Sequence, residues 1–92
     1  MKKDKTIRGI LRKNEHQKVL DYLAKASGYN KGNLNKAGVI SAVTQEVFFG
    51  KKGGLGKAIS AIKTLSDPEY KIIEVDENYI KVTEKTLKYA SE

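Results

Sequence analysis

The apolar residues of this chain keep a helical period as far as Leu65 and turn strand-like from Tyr70 to Thr83, with the only proline, Pro68, at the change. That order constrains the fold to helices first and one β-hairpin after them. Val19, Leu20, Leu23, Ala24 and Ala26 share one helix face, with Glu15, Lys18, Asp21 and Lys25 opposite, which predicts a helix from about Asn14 to Ser27. Asn14 is its expected N-cap and Gly28 its stop. After the polar turn at 29–33, Leu34 is expected in a short extended segment, and Asn35 caps a second helix from Lys36 to about Gln45 through Ala37, Ile40, Ala42 and Val43. Val47-Phe48-Phe49 continues the apolar character as the chain leaves that helix. Gly50-Lys51-Lys52-Gly53-Gly54 is a turn by composition. Beyond it Leu55, Ala58, Ile59, Ile62 and Leu65 recur at the spacing of a third helix with an apolar stripe. Tyr70–Val75 and Tyr79–Thr83 flank the turn Asp76-Glu77-Asn78 as a hairpin. Thr83 is the expected cap of a short closing helix, from Glu84 to about Ala90. The fold class is α+β, as one domain over 14–92 preceded by residues 1–13.

A chain of 92 residues buries roughly two-thirds of its surface on folding, so its core is small. It has no cysteine, which excludes a disulfide framework, a thiolate nucleophile and a thiolate-bound metal. Its longest apolar run, Val47-Phe48-Phe49, is far short of the ~20 residues that span a membrane. Arg12 and Lys13 interrupt Ile10-Leu11, so no signal-peptide apolar region is expected, and the expectation is a soluble, cytoplasmic protein.

The net charge of +7 is unevenly placed. Residues 1–13 carry Lys2, Lys3, Lys5, Arg8, Arg12 and Lys13 against one acid, and residues 51–66 carry Lys51, Lys52, Lys57 and Lys63 against none. Residues 14–50 are nearly balanced, and 67–92 have seven carboxylates against four lysines. Two basic zones and an acidic end indicate a polarised surface made for an anion. Only two of the 18 basic residues are arginines. Lysine is a point charge suited to phosphate, whereas the bidentate fork that reads guanine belongs mainly to arginine, so backbone contact is favoured over base reading. The segment 1–13 is either a flexible basic arm lying along phosphates or in a minor groove, or a leading helix packed through Ile10 and Leu11.

The order helix, helix, tight turn, helix, hairpin, short helix resembles the winged helix-turn-helix superfamily. Gly50 to Gly54 matches the turn, Leu55 to Leu65 the recognition helix, and Tyr70 to Thr83 the wing; the run Ile80 to Leu87 is similar to the strand-to-helix ending of bacterial winged-helix regulators. The resemblance implies that the third helix enters the major groove of DNA by its N-terminal end. Lys51, Lys52, Gly53, Gly54, Gly56 and Lys57 form that end, where free amides and the helix dipole favour phosphate. Base discrimination falls to Lys57, Ser60 and either Lys52 or Thr64, with Lys63 adding charge. Lys71, Tyr79 and Lys81 are the expected contacts along the wing, because its tip is acidic and phosphate repels it; the tip either points away from DNA or meets a protein.

No catalytic site is expected. His16, the only histidine, reads as a lone surface residue, and no second histidine or cysteine completes a zinc site. Gly50 to Gly56 fails the phosphate-loop pattern by spacing, and Ala58 stands where a magnesium-binding hydroxyl belongs. No cofactor is expected. The function implied is a sequence-specific, dimeric double-stranded DNA-binding protein. Transcriptional repression is its usual job in that superfamily. Size, element order and the Leu34-Asn35-Lys36 lead-in also resemble the TubR type of plasmid and phage centromere-binding adaptors, which would add a filament-forming NTPase as partner. The competing expectations are a winged-helix protein-interaction module without DNA binding and a small structured-RNA-binding protein.

Overall fold

A computed structural model describes residues 2–90, with side chains from Thr6 onward; the side chains of Lys2, Lys3 and Lys5, named above as candidate contacts, lie outside the described residues. The described chain forms α1 (Lys2–Leu11), α2 (His16–Ala26), β1 (Gly32–Asn35), α3 (Lys36–Glu46), α4 (Gly54–Leu65), β2 (Glu74–Val75), β3 (Tyr79–Val82) and α5 (Glu84–Tyr89). The three strands make one antiparallel sheet in the order β1-β3-β2. This small α+β architecture is compatible with a winged-helix-like fold.

Residues 2–11 are helical because Ile7 and Leu11, four apart, both reach the core; Ile10, the expected anchor, is only half-buried. The helix at 14–27 begins two residues later than its pattern predicts. Asn14 and Glu15 are both left-handed, with φ of 52° and 62°, and no side chain caps the first turn of α2, so Asn14 does not serve as the cap. The start is set instead by His16, whose Nδ1 lies 2.9 Å from the carbonyl of Ile10 and whose ring is 6% exposed. At the other end Gly28 stops α2 as expected. Its φ is +67°, and the amides of Gly28 and Tyr29 return to the carbonyls of Lys25 and Ala24, at 3.0 and 2.8 Å.

Leu34 does lie in a strand, and β1 pairs with β3, placing Leu34 opposite Ile80. Asn35 then caps α3, its side chain accepting the Gly38 amide at 2.8 Å. β3 runs through the middle of the sheet and alternates, Ile80 and Val82 inward and Tyr79 and Lys81 outward. The first hairpin strand is much shorter than its β-rich sequence predicts. Ile72 and Ile73 are consecutive and both fully buried, which a pleated strand cannot achieve on one face. Their amides both bond the Leu65 carbonyl, at 3.0 and 3.1 Å, so residues 70–73 wrap the end of α4. Lys71, with φ of +46° and its amide on the Asp67 carbonyl, belongs to this loop and not to the wing.

The third helix forms where expected but turns a different face inward. Ala58, Ala61, Ile62 and Leu65 are buried, while Leu55 and Ile59 are 57% and 47% exposed. Small residues set this rotation. A Cβ on Gly54 would stand 3.2 Å from the Phe48 carbonyl oxygen, and the small Ala58 and Ala61 are buried further along the same helix. Phe48 fills the core beneath the turn, and Phe49 beside it is 83% exposed. At the closing helix Thr83 and Thr86 form the capping box, and the buried Thr86 hydroxyl donates to the Ile72 carbonyl at 2.6 Å. Lys85 donates to the carbonyl of Tyr70.

Candidate nucleic-acid interface

The turn before α4 and the solvent side of α4 carry the candidate site. Gly53, at φ +72°, is the residue at which the chain enters the helix, and the first helical bond runs from the Lys57 amide to its carbonyl at 2.9 Å. Helical spacing divides the exposed side of α4 into three strips. Leu55 and Ile59 form an apolar flank, and Leu55 lines a shallow groove with Ala37, Ile40 and Thr44 of α3. Gly56, Ser60 and Lys63 occupy the middle, all exposed. Lys57 and Thr64 form the opposite flank.

On that opposite flank the surface is concave. Lys51, Lys57, Ser60 and Thr64 line one wall of a cleft and Asn14, Glu15 and His16 the other, over Phe48 and Ala61. Residues 14–16 thus face α4 across the cleft, and Arg12 and Lys13 stand exposed on the turn before them. Glu15 is the one acid in the cleft, and its carboxylate is engaged by Lys18 Nζ at 2.9 Å. The Lys18 hydrogen bond and charge, with a smaller contribution from Lys51, hold the Glu15 carboxyl below its ordinary value of 4.5, while desolvation pulls the other way. The cleft therefore presents two lysines against one already paired carboxylate.

The other expected contacts are dispersed. Lys52 is exposed on the turn and Lys63 at the last turn of α4, and neither lines the cleft. Arg8 lies with its guanidinium 5.7 Å from the centre of the Tyr89 ring, where Lys88 also stacks at 5.3 Å, so it works within the molecule. Tyr79 and Lys81 do occupy the outer face of the sheet, where Lys81 stands opposite Glu74 and Asn33. The acidic tip has a structural reason. The Asp76 carboxylate accepts the amides of Asn78 and Tyr79, at 2.9 and 2.8 Å, and so builds the turn. Lys36, at the start of α3, holds that tip through its amide to the Asn78 carbonyl (2.9 Å) and its Nζ to the Asp76 carbonyl (3.2 Å).

Asn14, Glu15 and His16 form the cleft wall the sequence reading missed. His16 is buried, not a surface residue, because the α1–α2 turn folds the Ile10 carbonyl onto its ring. No spacing rule signals that contact. Among the described residues, no helix is long and apolar enough to cross a membrane, and no group of three or more His, Cys, Asp or Glu side chains is placed to hold a metal ion. Comparisons with protein-family models, with curated proteins and with solved structures find no match to this chain.

Proposed function

We propose that this protein binds double-stranded DNA sequence-specifically through α4, in a winged-helix-like manner, and that it acts as a homodimer. The observation that carries the reading is the exposed N-terminal turn of α4. Lys51, Lys52 and Lys57 surround it, no acidic side chain lies in its first turn, and nothing stands within 4 Å of where a Gly56 Cβ would be. A glycine inside a helix costs about 0.5–1 kcal/mol relative to alanine. A side chain at position 56 would meet no neighbour, and the glycine leaves the backbone of this turn open to close approach by a phosphate. Lysines supply backbone attraction, and exposed Leu55 and Ile59 are suited to thymine methyl groups, the apolar feature of the major groove. A single helix is a small reading surface, and two-fold repetition raises both affinity and site length.

Repression and centromere binding draw on this same chemistry. In the second case the outer sheet face, with Glu74, Asp76 and Glu77, is available to a filament-forming NTPase. That acidic face also favours the competing reading, a protein-interaction module without DNA binding. Titration of duplex DNA against the protein, with Lys52→Glu and Lys57→Glu as variants, decides between them. Each reversal is expected to weaken binding at least tenfold, the scale of a lost charge-assisted contact plus repulsion. Parent-like binding by both variants removes α4 as the reading element, absence of binding at low salt supports the interaction module, and preference for duplex RNA supports an RNA-binding role.

A further inference from the structure

Residues 48–51 form a tight turn that fixes one phenylalanine in the core and leaves the next in solvent. The Lys51 amide bonds the Phe48 carbonyl at 3.0 Å, and Gly50 has the φ of +76° that a type II turn requires at its third residue. The amides of Val47 and Phe48 both bond the Val43 carbonyl, at 2.9 and 3.3 Å, which ties the turn to the end of α3. Phe48 is buried, and a Cβ on Gly54, the first residue of α4, would stand 3.4 Å from the Phe48 Cβ. Phe49, at the corner of the turn, is 83% exposed. Its backbone is thus bonded to one helix and held beside the start of the next.

A single exposed apolar side chain is ordinary on a protein surface, so its setting has to carry the argument. Among the described residues five large hydrophobics are exposed, and three of them, Phe49, Leu55 and Ile59, lie on α4 or the turn leading to it. Lys51 and Lys52 are exposed within three residues of Phe49, and residues 47–66 contain no acid. The partner this ring fits is therefore anionic around an apolar gap. A bilayer fits poorly, because interfacial binding scales with the apolar area buried and one ring offers little. A base step fits well: its phosphates meet the lysines, and one flat ring fills the space between two partly unstacked base pairs.

We propose that Phe49 is a wedge inserted at a base step of the DNA that α4 reads, and that the preferred substrate is a duplex with a flexible pyrimidine–purine step at that point. The proposal rests on the DNA-binding reading and adds a source of specificity to it. Residues 50–66 contain no arginine, asparagine or glutamine, the side chains best suited to reading a purine edge with two bonds at once. Deformation supplies what direct reading lacks, because a TA or CA step opens and kinks more readily than others.

The probes are two short duplexes of equal base composition, one with a single central TA step and one with none. Fluorescence anisotropy reads binding, and energy transfer between labelled ends reads bending. The parent is expected to bind the TA duplex about tenfold more tightly than its control and to bring its ends closer together. Phe49→Ala removes an exposed ring, so its denaturant midpoint should match the parent's. It should bind the TA duplex about tenfold more weakly, lose both the bend and the preference, and keep the salt dependence that the lysines confer. Parent binding without bending, or bending and preference that Phe49→Ala retains, overturns the wedge and leaves α4 as the reading element. Absence of duplex binding by the parent at low salt removes the DNA-binding reading and the wedge with it. Phe49-dependent binding to phosphatidylserine vesicles in that case assigns the ring to a membrane surface, which also overturns the proposal.

Discussion

Thr86 shows how much one side chain can hold in a small core. It is fully buried, yet its hydroxyl donates to the Ile72 carbonyl at 2.6 Å and accepts the Thr83 amide at 2.9 Å. One atom thus closes the capping box of α5 and ties that helix to the loop that wraps α4. Replacing it by valine keeps the shape, leaves the Thr83 amide without its partner and leaves the Ile72 carbonyl only the long 3.5 Å contact from the Thr83 hydroxyl. Thr86→Val is expected to cost about 1–3 kcal/mol, read as a lower denaturant midpoint at unchanged slope, with Thr86→Ser retaining most of the stability. An unchanged midpoint for valine contradicts this. The cap at Thr83 was legible, because Thr before a helical run satisfies orphan amides within three residues. The burial of Thr86 was not, since its partner Ile72 lies 14 residues away.

Among the elements, α4 departs most from its sequence pattern. Leu55, Ala58, Ile59, Ile62 and Leu65 fit one stripe, but only part of it is buried, and Ala61 takes the place of the larger side chains. Hydrophobic spacing specifies a stripe wide enough for several rotations, and the rotation adopted buries Ala58 and Ala61 and sets Gly54 against Phe48. The two isoleucines should therefore behave differently. Ile62→Ala is expected to destabilise by about 2–5 kcal/mol, as a buried truncation does. Ile59→Ala should stay within about 0.5 kcal/mol of the parent in denaturant unfolding, while weakening duplex affinity if α4 enters the groove. Equal losses of stability at the two positions would contradict the orientation described here. The N-terminal helix taught a similar lesson: its charge was plain, but the seat for Ile7 and Leu11 exists only once α2 is in place.

For the whole molecule, the +7 net charge becomes a distribution in space. Lys51 and Lys57 line the cleft where the start of α2 faces α4, Arg12 and Lys13 stand exposed on the turn that leads into that wall, and Glu74, Asp76 and Glu77 gather on the sheet hairpin. Binding governed by such a face releases counterions, so the logarithm of affinity is expected to fall linearly with that of salt. Lys57→Gln should lower the magnitude of that slope by about 1 per protomer, and a slope unchanged by the substitution removes Lys57 from the phosphate contacts. One copy has a Cα radius of gyration of 12.0 Å, so small-angle scattering distinguishes a free monomer from the proposed homodimer.

The sequence by itself determined what neighbouring residues decide among themselves. Gly28 ends α2 because its backbone tolerates the left-handed turn, Asn35 and Thr83 cap helices because their side chains reach amides three residues on, and Asp76 builds the hairpin turn in the same way. These are short-range hydrogen bonds, satisfied within one turn of chain. Only the tertiary structure decided the pairing of β1 with β3, the wrapping of Ile72 and Ile73 around the end of α4, the rotation of α4, and the burial of His16 against Ile10. Each depends on a partner that local spacing does not name, and a buried face exists only after that partner is in place. The cleft between the start of α2 and the flank of α4 belongs to this second class, since its two walls come from opposite halves of the chain.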